Sequence, residues 1–210
     1  MTSSKKVIEY LKNNVLDENI VSMFISGSIP ESLSPGSDLD IICVIKEEKK
    51  NEFFENIVVI MDELVKNQEN ITYTFFRGPI KLEKDGLIHF VIYTESKKPD
   101  FQDREQFIGE SRPVLKGFLS NNYVLKGKSV EELTKEVDFS NTEISEKDFT
   151  NMLKKRDILL EKGTINYPLW EEINGDWKFS RKEIQTNSFL KQYLLKYYEK
   201  NINKAKKISS

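Results

Sequence analysis

Asp38 and Asp40 stand two residues apart at the head of the apolar run Asp38-Leu-Asp-Ile-Ile-Cys-Val-Ile45. On a strand, residues two apart point to the same face, so both carboxylates project together while Leu39 and Ile41 turn the other way. Carboxylates held side by side repel unless a cation lies between them. A hard divalent ion is the natural partner: Mg²⁺ takes one or two protein carboxylates and completes its shell with substrate phosphates and water. Asp-x-Asp alone is commonplace at solvated strand ends, so the pair needs company before it implies chemistry. Gly27-Ser28 supplies it, following the apolar run Ile20–Ser26 directly. A residue without Cβ there lets backbone amides approach a phosphate, and a helix start at that point favours anions. Between the two halves lies Ser34-Pro-Gly36, strong turn chemistry, with Ser37 immediately before the first aspartate.

Gly27-Ser28, an interval of turn formers, then Ser37-Asp-Leu-Asp40 between apolar strands resembles the signature of the nucleotidyltransferase superfamily. That superfamily includes the beta-type DNA polymerases and the antibiotic nucleotidyltransferases. The resemblance covers about the first hundred residues. It implies Asp38 and Asp40 as catalytic metal ligands for Mg²⁺ or Mn²⁺, with Gly27, Ser28 and Ser37 at the nucleotide. It also implies in-line phosphoryl transfer, in which two metals about 4 Å apart steady the attacking and leaving oxygens.

Enzymes of this kind use a third carboxylate, midway along a later strand of the same sheet. The matching strand is Leu87–Thr94, and the slot between Ile88 and Phe90 holds His89, the single histidine of the chain. Three readings follow. His89 is a general base, its ordinary pKa near 6.5 suiting a hydroxyl proton; or it is a metal ligand; or the site is degenerate and binds nucleotide without turning it over. Glu83 and Asp85 are the nearest substitute acids, on a turn. Arg77, Lys81, Lys154, Lys155 and Arg156 are candidates for a triphosphate, none singled out.

The elements that must position these residues follow from periodicity. Val7, Ile8, Leu11, Val15 and Leu16 give a helix over residues 5–18. Strands follow at Ile20–Ser26 and Asp38–Ile45, with a brief helical turn expected in Ser28–Leu33. Phe53, Phe54, Ile57, Val58, Met61, Leu64 and Val65 form the apolar face of a second helix. Ile71–Leu82 and Leu87–Thr94 are β-rich and are expected to pair as a hairpin around Lys84-Asp-Gly86. The fold class is α+β: a mixed sheet packed on helices, residues 1–98, followed by a mostly helical C-terminal domain, residues 99–210. In the latter, helices are expected within 105–119, 129–137 and beyond Ser145. Tyr167-Pro-Leu-Trp170 and Trp177 are expected in a loop-rich segment. A cap at Ser180 precedes a last helix bearing Leu190, Tyr193, Leu194, Tyr197 and Tyr198.

Charged residues make up 31% of the 210, yet the formal net charge is only −2. That balance argues against a dedicated nucleic-acid binder. The single Cys43 reads as a small core residue. With no apolar run long enough to span a bilayer, the expectation is a soluble cytoplasmic protein. The resemblance implies an NTP as partner and, with the balanced charge, a small-molecule acceptor carrying a hydroxyl. The alternatives are a nucleotide-binding or regulatory module without turnover, and protein-directed nucleotide transfer.

Overall fold

The computed structural model describes residues 2–95, 122–135 and 146–208. Strands β1 (Thr2–Ser3) and β3 (Ser32–Leu33) form a small ladder beside helix α1 (Ser4–Asn14). A five-stranded sheet carries the site. It comprises β2 (Ile20–Ser26), β4 (Asp38–Ile45), β5 (Ile71–Thr74), β6 (Gly86–Thr94) and β7 (Asn122–Gly127), in the order β5-β6-β4-β2-β7. β4, β6 and β5 run parallel, whereas β2 is antiparallel to β4 and to β7, so the sheet is mixed. Helix α2 (Lys50–Lys66) links β4 to β5.

Alternation along the strands divides the sheet's faces. Leu39, Ile41, Cys43 and Ile45 join Ile88, Phe90 and Ile92 in one core with Val7, Ile8 and Leu11 of α1 and Phe53, Phe54, Ile57 and Met61 of α2. Cys43 is fully buried there, and burial pushes its thiol pKa up. The opposite face bears Asp38, Asp40 and His89, then Phe24, Ile42, Val91 and Tyr93, which pack on Val130. Val130 opens the short helix α3 (Val130–Thr134), capped by Ser129 and Glu132 in a reciprocal capping box.

The C-terminal helices are present: α4 (Glu146–Lys162) and α5 (Ser188–Ile208). Gly163, at φ 67°, ends α4 with its amide on the Leu159 carbonyl. The first turn of α5 is capped by Asn187, whose side chain accepts from the Leu190 amide. Between the helices lies a long hairpin, β8 (Thr164–Ile173) with β9 (Asp176–Gln185). Met152, Leu159, Tyr167, Leu194 and Tyr198 make a second core that also takes in Ile80 and Leu87. No helix among the described residues is long and apolar enough to cross a membrane.

Four local expectations are corrected. Residues 28–33 hold no helical turn, because Ser32 and Leu33 are drawn into the ladder with Thr2 and Ser3. β5 and β6 are parallel neighbours rather than a hairpin: Ile71 pairs with Gly86, so the eleven residues between the strands must travel past β5 and return. The segment 167–177 is β-hairpin rather than loop, because its aromatics have a core to enter. Trp170 lies 5.2 Å from the Phe54 ring and Trp177 stacks on the same ring at 4.3 Å. Ser180 sits within β9 and caps nothing. The helix expected within 105–119 lies outside the described residues, as does Ser145. β7 falls after residue 98 yet completes the first sheet, on the outer edge of β2.

Candidate active site

Asp38 and Asp40 project from the head of β4, and their parallel-strand partners are Leu87 and His89. Both side chains stay partly open to solvent, 23% for Asp38 and 28% for Asp40, while His89 is buried. Register alone therefore sets the imidazole beside the second aspartate. Its Nδ1 lies 2.8 Å from Asp40 Oδ1, and its Nε2 lies 2.7 Å from the Phe76 carbonyl oxygen.

Those two contacts constrain where the ring's protons sit. A carbonyl oxygen only accepts, so Nε2 carries a hydrogen and donates to Phe76. An ionised carboxylate also only accepts, so pairing Nδ1 with Asp40 places a second proton on the ring. Burial pulls the His89 pKa down. The Asp40 hydrogen bond and charge, the Phe76 carbonyl and the Asp38 charge outweigh that, and the pKa ends above its ordinary value. A doubly protonated His89 satisfies both contacts at once, donating to Asp40 and to the Phe76 carbonyl.

This arrangement is built from distant sequence. Phe76 lies just beyond β5 and is bridged to Leu169 of β8, while the Arg77 amide donates to the Pro168 carbonyl at 2.7 Å. The hairpin thus holds the backbone that holds His89. The edge of β6 beyond β5 is closed similarly, the Ile92 carbonyl accepting from the Trp170 indole at 3.0 Å and from the Arg77 guanidinium at 2.7 Å. Arg77 is stacked on the rings of Tyr93 and Phe179, and burial pulls its pKa down.

Asp38 has its own cation. Lys81 Nζ approaches Asp38 Oδ1 at 3.5 Å. Burial and the Asp40 charge raise the Asp38 pKa, against the opposing pull of Lys81 and His89. The turn before Asp38 is closed by Ser37, whose hydroxyl accepts from the Ser34 amide and donates to the Ser34 carbonyl, both at 2.7 Å. Ser37 is thus committed to shaping the turn. The Leu87 amide donates to the Ser37 carbonyl, joining that turn to the start of β6. Gly27 leaves β2 next to Ser26, the antiparallel partner of Asp40. It takes φ 77°, a left-handed conformation that favours glycine, and a Cβ there would stand in open space. Ser28 is exposed.

The structure brings Asp38, Asp40, His89 and Lys81 together, with Gly27 at the adjoining strand end. Glu83 is exposed and Asp85 half-buried on the turn before β6. Arg156 is bonded to the neighbouring Asp157 on α4. The Phe76 carbonyl escapes sequence reasoning because every residue carries one. Lys81 had a weaker signal, as a lysine just beyond Gly78-Pro79 in the segment returning to β6.

Among the described residues, no group of three or more His, Cys, Asp or Glu side chains is disposed to hold a metal ion. The protein's own donors are two partly exposed carboxylates on one strand face. That set fits a Mg²⁺-type ion only if substrate phosphates and water complete its shell. No protein-family model matches the chain, and no curated protein matches it. Among solved structures it is similar to the spectinomycin adenyltransferase AAD(9) from Enterococcus faecialis, crystallised with ATP and spectinomycin. The likeness has a TM-score of 0.32 and 14% identity, over 95% of this chain and 88% of that one. At that level neither fold nor activity transfers from one protein to the other.

Proposed function

We propose that this chain is a metal-dependent nucleotidyltransferase, moving a nucleoside monophosphate from an NTP to a hydroxyl with pyrophosphate as leaving group. The observation that carries this reading is the pairing of Asp38 and Asp40 on one face of β4, partly open to solvent, with His89 fastened to Asp40. A divalent cation, Mg²⁺ or Mn²⁺, held by the two aspartates would neutralise charge on the transferring group and on the attacking and leaving oxygens. The remaining work falls to the chain itself. Gly27 and Ser28 offer backbone amides to phosphate oxygens, and Ser37 keeps the turn that presents Asp38.

His89 acts here as a positioning residue. Its Nδ1 bond orients Asp40, and its Nε2 bond to Phe76 fixes the ring. Serving as base would require Nδ1 to leave Asp40 and face the acceptor hydroxyl. A pH profile separates the roles: a base gives activity that climbs through the raised His89 pKa, whereas an orienting imidazolium gives activity that falls through it.

The acceptor we assign is a small molecule, in keeping with the balanced charge, with residues 1–98 serving the nucleotide and residues 99–210 walling the acceptor. On this reading α5 borders the site: Phe189 lies against Gly36 in the turn before Asp38, and the Tyr193 ring lies near Lys81. A second reading, a nucleotide-binding module without turnover, draws on the cationic partners that both aspartates already have. Incubation with NTPs labelled at the α-phosphate, Mg²⁺ or Mn²⁺ and a cell extract tests these readings. Label on a small molecule supports the first, and label on protein points to protein-directed transfer. Nucleotide binding with no transfer leaves the module. Absence of both binding and transfer removes all three.

A further inference from the structure

Lys81 is preset on Asp38 by anchors on either side of it. The Pro79 carbonyl accepts from the buried Tyr167 hydroxyl, Ile80 is 6% exposed in the second core, and the Leu82 carbonyl accepts from the Gly36 amide at 2.9 Å. The ammonium lies 3.5 Å from Asp38 Oδ1 and 5.5 Å from the Tyr193 ring centroid. A divalent ion approaching Asp38 therefore meets a tethered positive charge beside the oxygen it must bind. A polyphosphate changes the balance, because its oxygens offer the ammonium another anionic partner and the ion further ligands. We propose that Lys81 is a built-in counter-ion that keeps free divalent cations off Asp38, so that metal is retained only together with a polyphosphate that draws Lys81 away. The polyphosphate half rests on the nucleotide reading above, whereas the counter-ion half does not.

The experiment is a Mn²⁺ titration of the full chain, followed by the paramagnetic signal of free Mn²⁺, first alone and then with a non-hydrolysable ATP analogue. Wild type alone is expected to take up Mn²⁺ weakly. Lys81→Met, which keeps the length and removes the charge, should bind at least about tenfold tighter, the scale of repulsion between nearby cations even in water. Lys81→Arg should behave as wild type. Equal affinities in wild type and Lys81→Met would overturn the inference. Should Lys81→Met fail to fold, the wild-type arms decide: Mn²⁺ retained equally well with and without the analogue overturns it, and retention only with the analogue supports it. Tightening in Lys81→Met with no binding of the analogue would uphold the counter-ion and remove the nucleotide reading.

Discussion

Gly86 opens β6 one residue before the Leu87 amide that ties this strand to the Ser37 carbonyl. Its backbone is ordinary, and its constraint is space. A Cβ placed on it would stand 2.8 Å from the carbonyl carbon and Cβ of Leu33 and 2.8 Å from the Ser34 nitrogen, where ordinary contact begins at 3.4 Å. Neither neighbour has room to yield. Leu33 is 1% exposed and paired to Thr2, and Ser34 is held in the turn by the Ser37 hydroxyl. Gly86→Ala must therefore move backbone, which puts its cost in the upper part of the overpacking range, about 2–3 kcal/mol. For a chain of this size that lowers Tm by roughly 4–12 °C. Because the displaced segment leads into Ser37 and Asp38, the variant should also bind nucleotide more weakly. Thermal unfolding followed by near-ultraviolet circular dichroism reads the first effect, and titration with an NTP analogue reads the second. Gly175→Ala is the control. It takes φ 79° with open space around it, so it suffers backbone strain of about 1–2 kcal/mol and leaves the site alone. A Gly86→Ala protein melting within about 1 °C of wild type would refute the close approach, since even the mildest overpacking costs more.

Three further outcomes are expected. In metal-free buffer Asp38→Asn should match or exceed wild-type stability at neutral pH. The folded state raises the Asp38 pKa, so ionising it costs stability as pH rises, and the variant's advantage should vanish below about pH 4 in urea titrations. His89 has the opposite charge change: its raised pKa gives stabilisation that is complete below about pH 6.5 and lost as pH climbs through the folded value. In chelator-treated protein the stability gap to His89→Ala should therefore narrow in alkali, and a gap that widens would contradict the imidazolium. Gly27→Val should lose NTP affinity, whereas Gly27→Asn, better suited to φ 77°, should fold more stably; urea midpoints alongside nucleotide titrations distinguish strain from obstruction.

Period-2 reading places Asp38 and Asp40 on one face, the resemblance supplies the slot that His89 fills, and the parallel register of β4 and β6 brings the three together. Both helices over the sheet were legible for the related reason that their apolar positions recur at helical spacing. Partner choice was not. The β-rich segments at 71–82 and 87–94 have the composition of a hairpin, whereas the connection between them is held by partners some 90 residues onward, Phe76 by Leu169 and the Arg77 amide by Pro168, and the chain returns in parallel. The same long-range pairing hides the second hydrogen bond of His89, since it ends on a main-chain carbonyl. Lys81 carries a charge common on any surface, and its meaning depends on how Pro79, Ile80 and Leu82 are pinned. Trp170 and Trp177 read as loop aromatics because the core they enter belongs to α2.

Calorimetric titration of a non-hydrolysable NTP analogue with Mn²⁺ into wild type, Asp38→Asn and Asp40→Asn tests the central claim most directly. Saturable binding by wild type, weakened by at least about tenfold in each folded variant, is the expected result, since each loses an anionic ligand to the ion. Binding of equal strength in all three proteins, or in none of them, would contradict the assignment of this face of β4 to a metal-bound nucleotide.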